Sequence, residues 1–304
     1  MATTPIDVPI SNISNLLIID TSYYIFHRYY ATLKWYTYYI QRTQTQFVDS
    51  DEDTEPVLVE KKTIDYANIH KDTAFVEFFK KHFLQDLEKL KKRWKVSSAN
   101  ILFCKDCSRD TIWRNSHHNN YKGTRIVGST FNGEIFPIFY TFIASNYTCV
   151  SLPQLEADDV VYLTVNRLMP LVGERLFTKE IIVITNDNDY LQMRRTDLHL
   201  YNLIGTGVNL ETRSKGTPEY DLLLKVICGD LSDNILAIAP KIGKKTGEKL
   251  ANMTESERNA WIAAKGAACV CAYENNKRLV DFRNIPSDLQ NAFYDKYNIH
   301  CVLV

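Results

Sequence analysis

Three short apolar runs that each end at or just before an acidic residue constrain the fold of this chain most strongly. The run LLIID ends at Asp20, a second run ends just before Asp106, and EIIVIT precedes Asp187 and Asp189. Short, continuous apolar runs are typical of strands that are buried on both faces of a parallel sheet. The carboxyl ends of parallel strands meet at one edge, where sites form. The pattern therefore predicts a parallel sheet with acidic side chains gathered at one edge.

Two stretches between these runs carry apolar residues at helical spacing, at 73–95 and 157–168. Alternating strands and helices are typical of a doubly wound α/β domain, with a mostly parallel central sheet and helices on both faces. After about Thr212 the pattern becomes helical and predicts no further buried strand. We therefore expect an α/β core over 1–212 and a helical region over 213–304.

The charges of the chain balance, because 36 Lys and Arg residues accompany 36 Asp and Glu residues among 304. No global field draws the chain to a polyanion or a membrane, so nucleic-acid binding would need local basic patches. The seven cysteines lack the spacing of a secreted scaffold, and no segment resembles a signal peptide or membrane span. We expect a soluble, intracellular protein, with a solvated loop at the acidic stretch 48–63.

Nine acidic side chains fall at predicted strand ends and helix starts. They are Asp20, Asp106, Glu156, Asp158, Asp159, Asp187, Asp189, Asp230 and Asp233. Carboxylates that converge repel one another and stay protonated unless cations compensate their charge. Oxygen ligands with few His or Cys select hard cations, so we expect two Mg²⁺ ions, for which Mn²⁺ can substitute. Such a pair of ions is suited to phosphodiester hydrolysis.

Each acidic motif also has a purely structural interpretation. Glu156, Asp158 and Asp159 would be favourable in the first turn of a helix, and Asp187 would suit an N-cap. The recurrence of acidic groups after several buried strands nevertheless favours a metal site, because independent caps need not follow such strands.

Basic residues follow the second apolar run in a polar segment that is poorly suited to burial. It contains Arg114, Lys122 and Arg125, and the last two, three residues apart, would share one face of a helix. Cations beside a metal site can hold the scissile phosphate and stabilise the charge of the transition state.

A second basic group lies in a segment that predicts a helix, a glycine-bearing hairpin and another helix that begins near Lys244. Backbone N–H groups at a helix start, together with lysines, bind phosphates without reading bases. The candidate DNA-binding residues are Lys241, Gly243, Lys244, Lys245 and Lys249.

These residues resemble the flap endonuclease superfamily, which includes phage 5′ nucleases and the 5′ nuclease domain of bacterial DNA polymerase I. The resemblance runs from Leu16 to about Leu250 and rests on LLIID, the Glu-Ala-Asp-Asp motif, ITNDNDY and ICGDLSDNI. It implies a PIN-like α/β fold with two metal clusters. The first would comprise Asp20, Asp106, Glu156, Asp158 and Asp159, and the second Asp187, Asp189, Asp230 and Asp233.

The resemblance also implies roles for the basic residues. A gateway around 109–130 would bring Arg114, Lys122 and Arg125 to the scissile phosphate. A helix-three-turn-helix motif around 222–252 would bind the downstream duplex.

Two positions depart from the family pattern. His27 stands where an arginine is usual, although Arg28 follows it directly. The hairpin APKIG at 239–243 replaces a glycine-isoleucine-glycine core, so K⁺, which this motif often binds in the family, is left open.

The resemblance implies a structure-specific 5′ nuclease, both 5′-3′ exonuclease and flap endonuclease, that acts in DNA replication or repair. Its expected substrate is DNA with 5′ flaps, nicks or ends, and RNA–DNA hybrids are left open. We expect a monomer with no clamp-binding motif. The alternatives are a catalytically silent DNA-binding scaffold of the same fold and a PIN-type ribonuclease. The helix-three-turn-helix motif argues against the ribonuclease.

Overall fold

The computed structural model describes residues 4–45, 63–125, 128, 130–170, 173–204 and 207–302. The acidic stretch predicted to be a loop therefore lies outside the described residues, apart from Thr63. The strands are β1 (Ile6–Ser11), β2 (Asn15–Asp20), β3 (Val96–Cys104), β4 (Thr148–Val150), β5 (Ile181–Ile184), β6 (Leu198–Tyr201) and β7 (Tyr297–Val302).

The helices of the α/β part are α1 (Thr21–Thr45), α2 (Thr73–Trp94), α3 (Ile135–Asn146) and α4 (Ala157–Leu168). The later helices are α5 (Pro218–Cys228), α6 (Lys244–Ala251), α7 (Glu255–Ala264), α8 (Ala267–Val280) and α9 (Ser287–Lys296). None of the described helices combines the length and the apolar character needed to cross a bilayer.

The three apolar runs form the centre of a five-stranded sheet with the order β4-β3-β2-β5-β6. All four pairings are parallel, which confirms the predicted sheet. Because β2 lies between β3 and β5, the residues that follow these strands leave the sheet at the same edge. This arrangement places Asp20, Asp106 and Asp187 near one another.

Side chains of β2 alternate between the two faces of the sheet, as the strand geometry requires. Leu16 and Ile18 pack into a core that contains the apolar side of α4. Leu17 and Ile19 pack on the opposite face against α1, α2 and α3. All four side chains are fully buried, and each such burial stabilises the fold by about 1.5–3 kcal/mol. The predicted helices on both faces are therefore present.

The helical spacing predicts the ends of α2 and α4 closely. The Asp72 side chain caps α2 by accepting two backbone N–H groups, and Lys95, with a φ of 53°, ends it in the left-handed conformation. α4 has the predicted bounds.

The helices α5 to α8 enclose a separate apolar cluster. Helices α5 and α6 form the predicted helix-hairpin-helix and approach closely at Gly247, where an added Cβ would lie 2.2 Å from the Cys228 sulfur. A glycine at this position lets the two helices pack.

The chain returns to the α/β core at its C-terminal end. The sequence predicts no further buried strand after about Thr212, but the partly exposed β7 pairs in parallel with β1, and Phe293 of α9 is buried in the core beneath β2. The prediction misses β7 because YNIHCV alternates apolar and polar residues and is half-exposed, unlike the fully buried runs. The C-terminal region is therefore helical only up to α9.

Candidate active site

A cavity of about 980 Å³ opens at the carboxyl edge of the sheet. Its walls come from the ends of β2, β3 and β5, the start of α4 and the loop after α5. The acidic side chains that line it are Asp20, Asp106, Glu156, Asp158, Asp187 and Asp230. Carboxylates that are far apart in the sequence thus share one cavity, as the strand-end pattern predicts.

Neutral donors hold the two carboxylates at the ends of β2 and β3. Asp20 accepts hydrogen bonds from the hydroxyl groups of Thr185 at 3.1 Å and Tyr190 at 3.3 Å. Asp106 accepts one from the Ser22 hydroxyl and one from the first backbone N–H of α4, the latter at 2.8 Å. Among the described residues, no ion pair compensates the charge of either carboxylate.

Three further carboxylates cluster at the start of α4. Oxygen atoms of Glu156, Asp158 and Asp159 lie within 4.8 Å of one another. Asp159 is fully buried, accepts the Glu156 backbone N–H at 3.1 Å and does not line the cavity. The structural interpretation of a capping residue therefore fits Asp159, whereas Glu156 and Asp158 face the cavity.

Arg114 lies behind this cluster rather than in the cavity. Its guanidinium donates to Glu156 Oε2 at 2.9 Å and to both Asp159 oxygens at 2.7 and 2.8 Å. Its Nε donates to the Leu279 carbonyl at 2.7 Å, and the side chain stacks on Trp113. With four of its five N–H donors occupied and only 1% of its surface exposed, Arg114 cannot reach a phosphate in the cavity. The expected phosphate contact does not agree with this position.

The second predicted cluster is divided. Oxygen atoms of Asp189, Asp230 and Asp233 lie within 4.8 Å of one another. Asp187 lies apart from these three and lines the cavity, where its charge acts on Asp20.

Basic side chains already compensate the charge of Asp189, Asp230 and Asp233. Lys225 Nζ pairs with Asp189 and lies 2.7 Å from Asp230 Oδ2. Asp233 pairs with Arg125 at 2.5 Å and lies 3.9 Å from Lys122 Nζ. The carboxylates that lack a cationic partner among the described residues are Asp20, Asp106, Asp158 and Asp187.

The basic pair Lys122 and Arg125 converges on the cavity, although the segment between them is not the predicted helix. Lys122 has a φ of 55°, which an α-helix excludes, and its backbone N–H donates to the Asp233 carbonyl at 3.0 Å. Its Nζ lies 2.5 Å from Glu156 Oε1. Arg125 is partly exposed and also lines the cavity. A turn tied to Asp233, rather than a shared helical face, brings the two cations together.

Burial and mutual repulsion perturb the uncompensated carboxylates. Burial and the neighbouring Asp106 raise the pKa of Asp20 to about 7. Burial also raises the pKa of Asp106. Burial and repulsion from Asp159 raise the pKa of Asp158 well above its ordinary range. Burial and repulsion thus favour the protonated form of each group unless another cation replaces the proton.

The compensated carboxylates shift in the opposite direction. Burial acts to raise the pKa of Glu156, but Lys122 and Arg114 outweigh it and lower the pKa. Burial opposes Lys225 at Asp230 in the same way, and the pKa of Asp230 falls to about 2.

The four candidate lysines of the DNA-binding motif are exposed on and just before α6. They are Lys241, Lys244, Lys245 and Lys249. Gly243 is the N-cap of α6, and a Cβ added there would meet no atom within 4 Å. The exposed start of α6 thus combines free backbone N–H groups with positive side chains.

A family model described as 5′-3′ exonuclease, N-terminal resolvase-like domain, matches residues 15–219. The chain belongs to the 5′-3′ exonuclease family. A 5′-3′ exonuclease of Buchnera aphidicola is 30% identical over 161 residues, which cover 50% of this chain and 49% of that relative. This match therefore spans about half the length of the relative. Ribonuclease H of Enterobacteria phage T4 is 24% identical over 270 residues, with 77% of this chain and 85% of that protein covered.

Solved structures of this 5′-3′ exonuclease fold resemble the chain over most of its length. The T5 5′-exonuclease shares 15% identity with a TM-score of 0.53, covering 92% of this chain and 96% of that chain. A T5 flap endonuclease complex with DNA and metal ions shares 16% identity with a TM-score of 0.56 and the same coverage. At these identities the likeness establishes the fold alone.

The cavity of this 5′-3′ exonuclease family member fits divalent metal ions. Its uncompensated donors are carboxylate oxygens, which hard cations prefer. The raised pKa values of Asp20, Asp106 and Asp158 indicate that the site lacks positive charge. A bound divalent cation would supply that charge.

The sequence analysis does not single out Lys225 or Trp113 as residues of the site. Lys225 compensates Asp189 and Asp230, and its signal is a single cation within the apolar stretch LLLKVIC. Trp113 donates its indole N–H to Asp159 at 2.9 Å. No spacing marks that contact in advance, because the two residues meet only through the fold.

Proposed function

We propose that this protein is a metal-dependent 5′ nuclease that hydrolyses phosphodiester bonds in DNA. The observation that carries the proposal is the shared cavity, in which four uncompensated carboxylates face the cations Lys122 and Arg125. Membership of the 5′-3′ exonuclease family supports the same reaction.

Asp20, Asp106, Asp158 and Asp187 are the groups best placed to hold two Mg²⁺ ions, with Mn²⁺ as a substitute. Such ions, when bound, supply Lewis-acid activation of a water molecule and neutralise charge on the phosphate. Glu156 differs from these four, because Lys122 and Arg114 already share its charge.

Arg125 and Lys122 supply the positive charge on the protein side of the cavity. Arg125 exposes 39% of its side chain, so its guanidinium can also donate a hydrogen bond to a phosphate oxygen. Lys122 is more buried and fixes the Glu156 carboxylate, while its charge acts across the cavity. Preorganised cations of this kind stabilise the negative charge that develops during phosphodiester cleavage.

The lysines at the start of α6 provide a duplex-binding surface. Lysines that neutralise phosphates bind irrespective of base sequence, so recognition would depend on the shape of the nucleic acid. The expected substrates are DNA with 5′ flaps, nicks or ends. The ribonuclease H relative is a reason to test RNA–DNA hybrids as well. We further propose a monomeric, intracellular enzyme. Titration of DNA binding with K⁺ tests whether the hairpin requires this ion.

A cleavage panel tests this function directly. Labelled flap, nicked, gapped, blunt and RNA–DNA substrates would be incubated with Mg²⁺, with Mn²⁺ and with EDTA. We expect cleavage near 5′ ends or flaps only with a divalent ion, and none by Asp158→Asn. The matched control is Asp288→Asn, on the outer helix α9, which should cleave normally.

Two outcomes would support the alternatives. Binding of flap DNA without turnover under any metal would favour a silent scaffold. Cleavage restricted to single-stranded RNA would favour a PIN-type ribonuclease.

A further inference from the structure

The C-terminal end of α8 contacts, from outside the cavity, one residue bound to the first acidic cluster and one residue next to the second. The Leu279 carbonyl accepts the Nε of Arg114 at 2.7 Å. The next carbonyl, that of Val280, accepts the amide of Gln192 at 3.0 Å. Gln192 also accepts the backbone N–H of Phe282 at 3.0 Å. Gln192 lies on the short helical turn Asn188–Met193, which carries Asp189 of the second cluster.

Arg114 is the stronger of these two connections. Its three nitrogen atoms make four hydrogen bonds of 2.7 to 2.9 Å: one to Leu279, one to Glu156 and two to Asp159. A guanidinium holds its partners in a fixed plane, whereas an ammonium does not. One rigid group therefore links the end of α8 to the start of α4.

Charge makes the connection hard to replace. Asp159 is fully buried, and Arg114 is its cationic partner among the described residues. The Leu279 carbonyl belongs to the last turn of α8, where the helix dipole favours a positive charge. The one positive charge of Arg114 thus binds both the Leu279 carbonyl at the end of α8 and the carboxylates at the start of α4.

We propose that Arg114 is a positioning residue: it holds Glu156 and the start of α4 in the geometry that binds divalent ions, and it is itself held by the end of α8. This inference rests on the proposed function. It replaces direct contact with the scissile phosphate, which the burial of Arg114 does not permit.

The test compares Arg114→Met and Arg114→Lys with wild-type protein. Mn²⁺ binding is measured without nucleic acid, by the electron paramagnetic resonance signal of free Mn²⁺. DNA affinity is measured in EDTA, and the Mg²⁺ concentration for half-maximal cleavage is measured separately. Arg258→Met is the matched control, since Arg258 is also buried and donates to a backbone carbonyl, but lies in α7.

For Arg114→Met we expect Mn²⁺ and Mg²⁺ affinity to fall by about tenfold, as for other groups that orient metal ligands. DNA affinity in EDTA should stay within about twofold of wild type, because no phosphate contact is lost. Arg114→Lys should recover part of the metal affinity, since it restores the charge but not the planar geometry. The control should change none of these values.

Two results would overturn the inference. One is unchanged metal affinity in Arg114→Met with weaker DNA binding, which would indicate a phosphate contact. If Arg114→Met does not fold, Arg114→Lys replaces it as the deciding variant, and a metal affinity equal to that of the wild type in Arg114→Lys would also overturn the inference. Failure of the wild-type protein to bind Mn²⁺ and to cleave would instead refute the proposed function.

Discussion

Replacement of Lys122 by Met should lower the stability of the metal-free protein and also slow cleavage by the metal-bound protein. The ammonium lies 2.5 Å from Glu156 Oε1 and 3.9 Å from Asp233 Oδ2, and only 8% of the residue is exposed. Loss of one partner of a buried ion pair costs about 3–5 kcal/mol. For a chain of this size, about 2 °C of melting temperature corresponds to 1 kcal/mol, so the loss in EDTA should be about 6–10 °C. Methionine keeps the backbone N–H that donates to Asp233.

The pH dependence of this loss has a defined sign. Because Lys122 and Arg114 lower the pKa of Glu156 in the folded state, the pairing stabilises the protein above the ordinary pKa of a glutamate. That stability disappears as the pH falls through the lowered pKa. The difference between Lys122→Met and wild type should therefore be largest at neutral pH and become smaller in acid.

The assays are differential scanning calorimetry in EDTA and in saturating Mg²⁺, and single-turnover cleavage of a flap substrate. Bound Mg²⁺ should reduce the loss of melting temperature, because it replaces the missing charge, while cleavage should fall by about 10²–10³-fold. The matched control is Lys80→Met, which breaks an exposed ion pair with Glu77 and should cost about 1 kcal/mol or less. If Lys122→Met loses no more stability in EDTA than Lys80→Met, the electrostatic account of the site is wrong.

Three further predictions follow from other parts of the structure. The pKa of Asp20 is raised to about 7, so the folded metal-free protein holds a proton that the unfolded chain releases above about pH 4. The melting temperature in EDTA should therefore fall from pH 5 to pH 8. Bound Mg²⁺ should reverse this fall. A melting temperature that rises over this range would contradict the assignment. Gly247→Ala would place a Cβ 2.2 Å from a cysteine sulfur of α5 and should cost about 1–3 kcal/mol in a urea melt, whereas Gly243→Ala should cost far less. The double variant Lys244→Gln and Lys245→Gln should weaken DNA binding equally for unrelated sequences and reduce the salt slope by about two, as measured by fluorescence anisotropy; a sequence-dependent loss would argue against phosphate contacts.

The sequence predicts the sheet and its acidic edge because both follow from local rules. Short apolar runs such as LLII before Asp20 are typical of buried strands, and a parallel sheet sends the carboxyl ends of its strands to the same side. The gathering of Asp20, Asp106 and Asp187 at one edge follows from those two facts.

The sequence does not predict how charges pair inside the site. Arg114 is expected in contact with phosphate, yet a carbonyl of α8 and two carboxylates of α4 bury it. Lys122 is expected on a helix, yet its contact with Asp233 selects a left-handed turn. These partners are distant in the sequence, and no periodicity indicates which carboxylate pairs with which cation. Local sequence patterns thus predict where the site lies, but they do not predict how its charges pair.

The pairing of β1 with β7 determines how the fold resists a pulling force. Because the two strands are parallel, Ile6 lies beside Tyr297 and Ser11 lies beside Val302. Tension applied through the two ends of the chain acts along the strands in opposite directions and loads the hydrogen bonds of the ladder together. Tension along β1 and β7 therefore loads this ribbon in shear, across all of its hydrogen bonds at once.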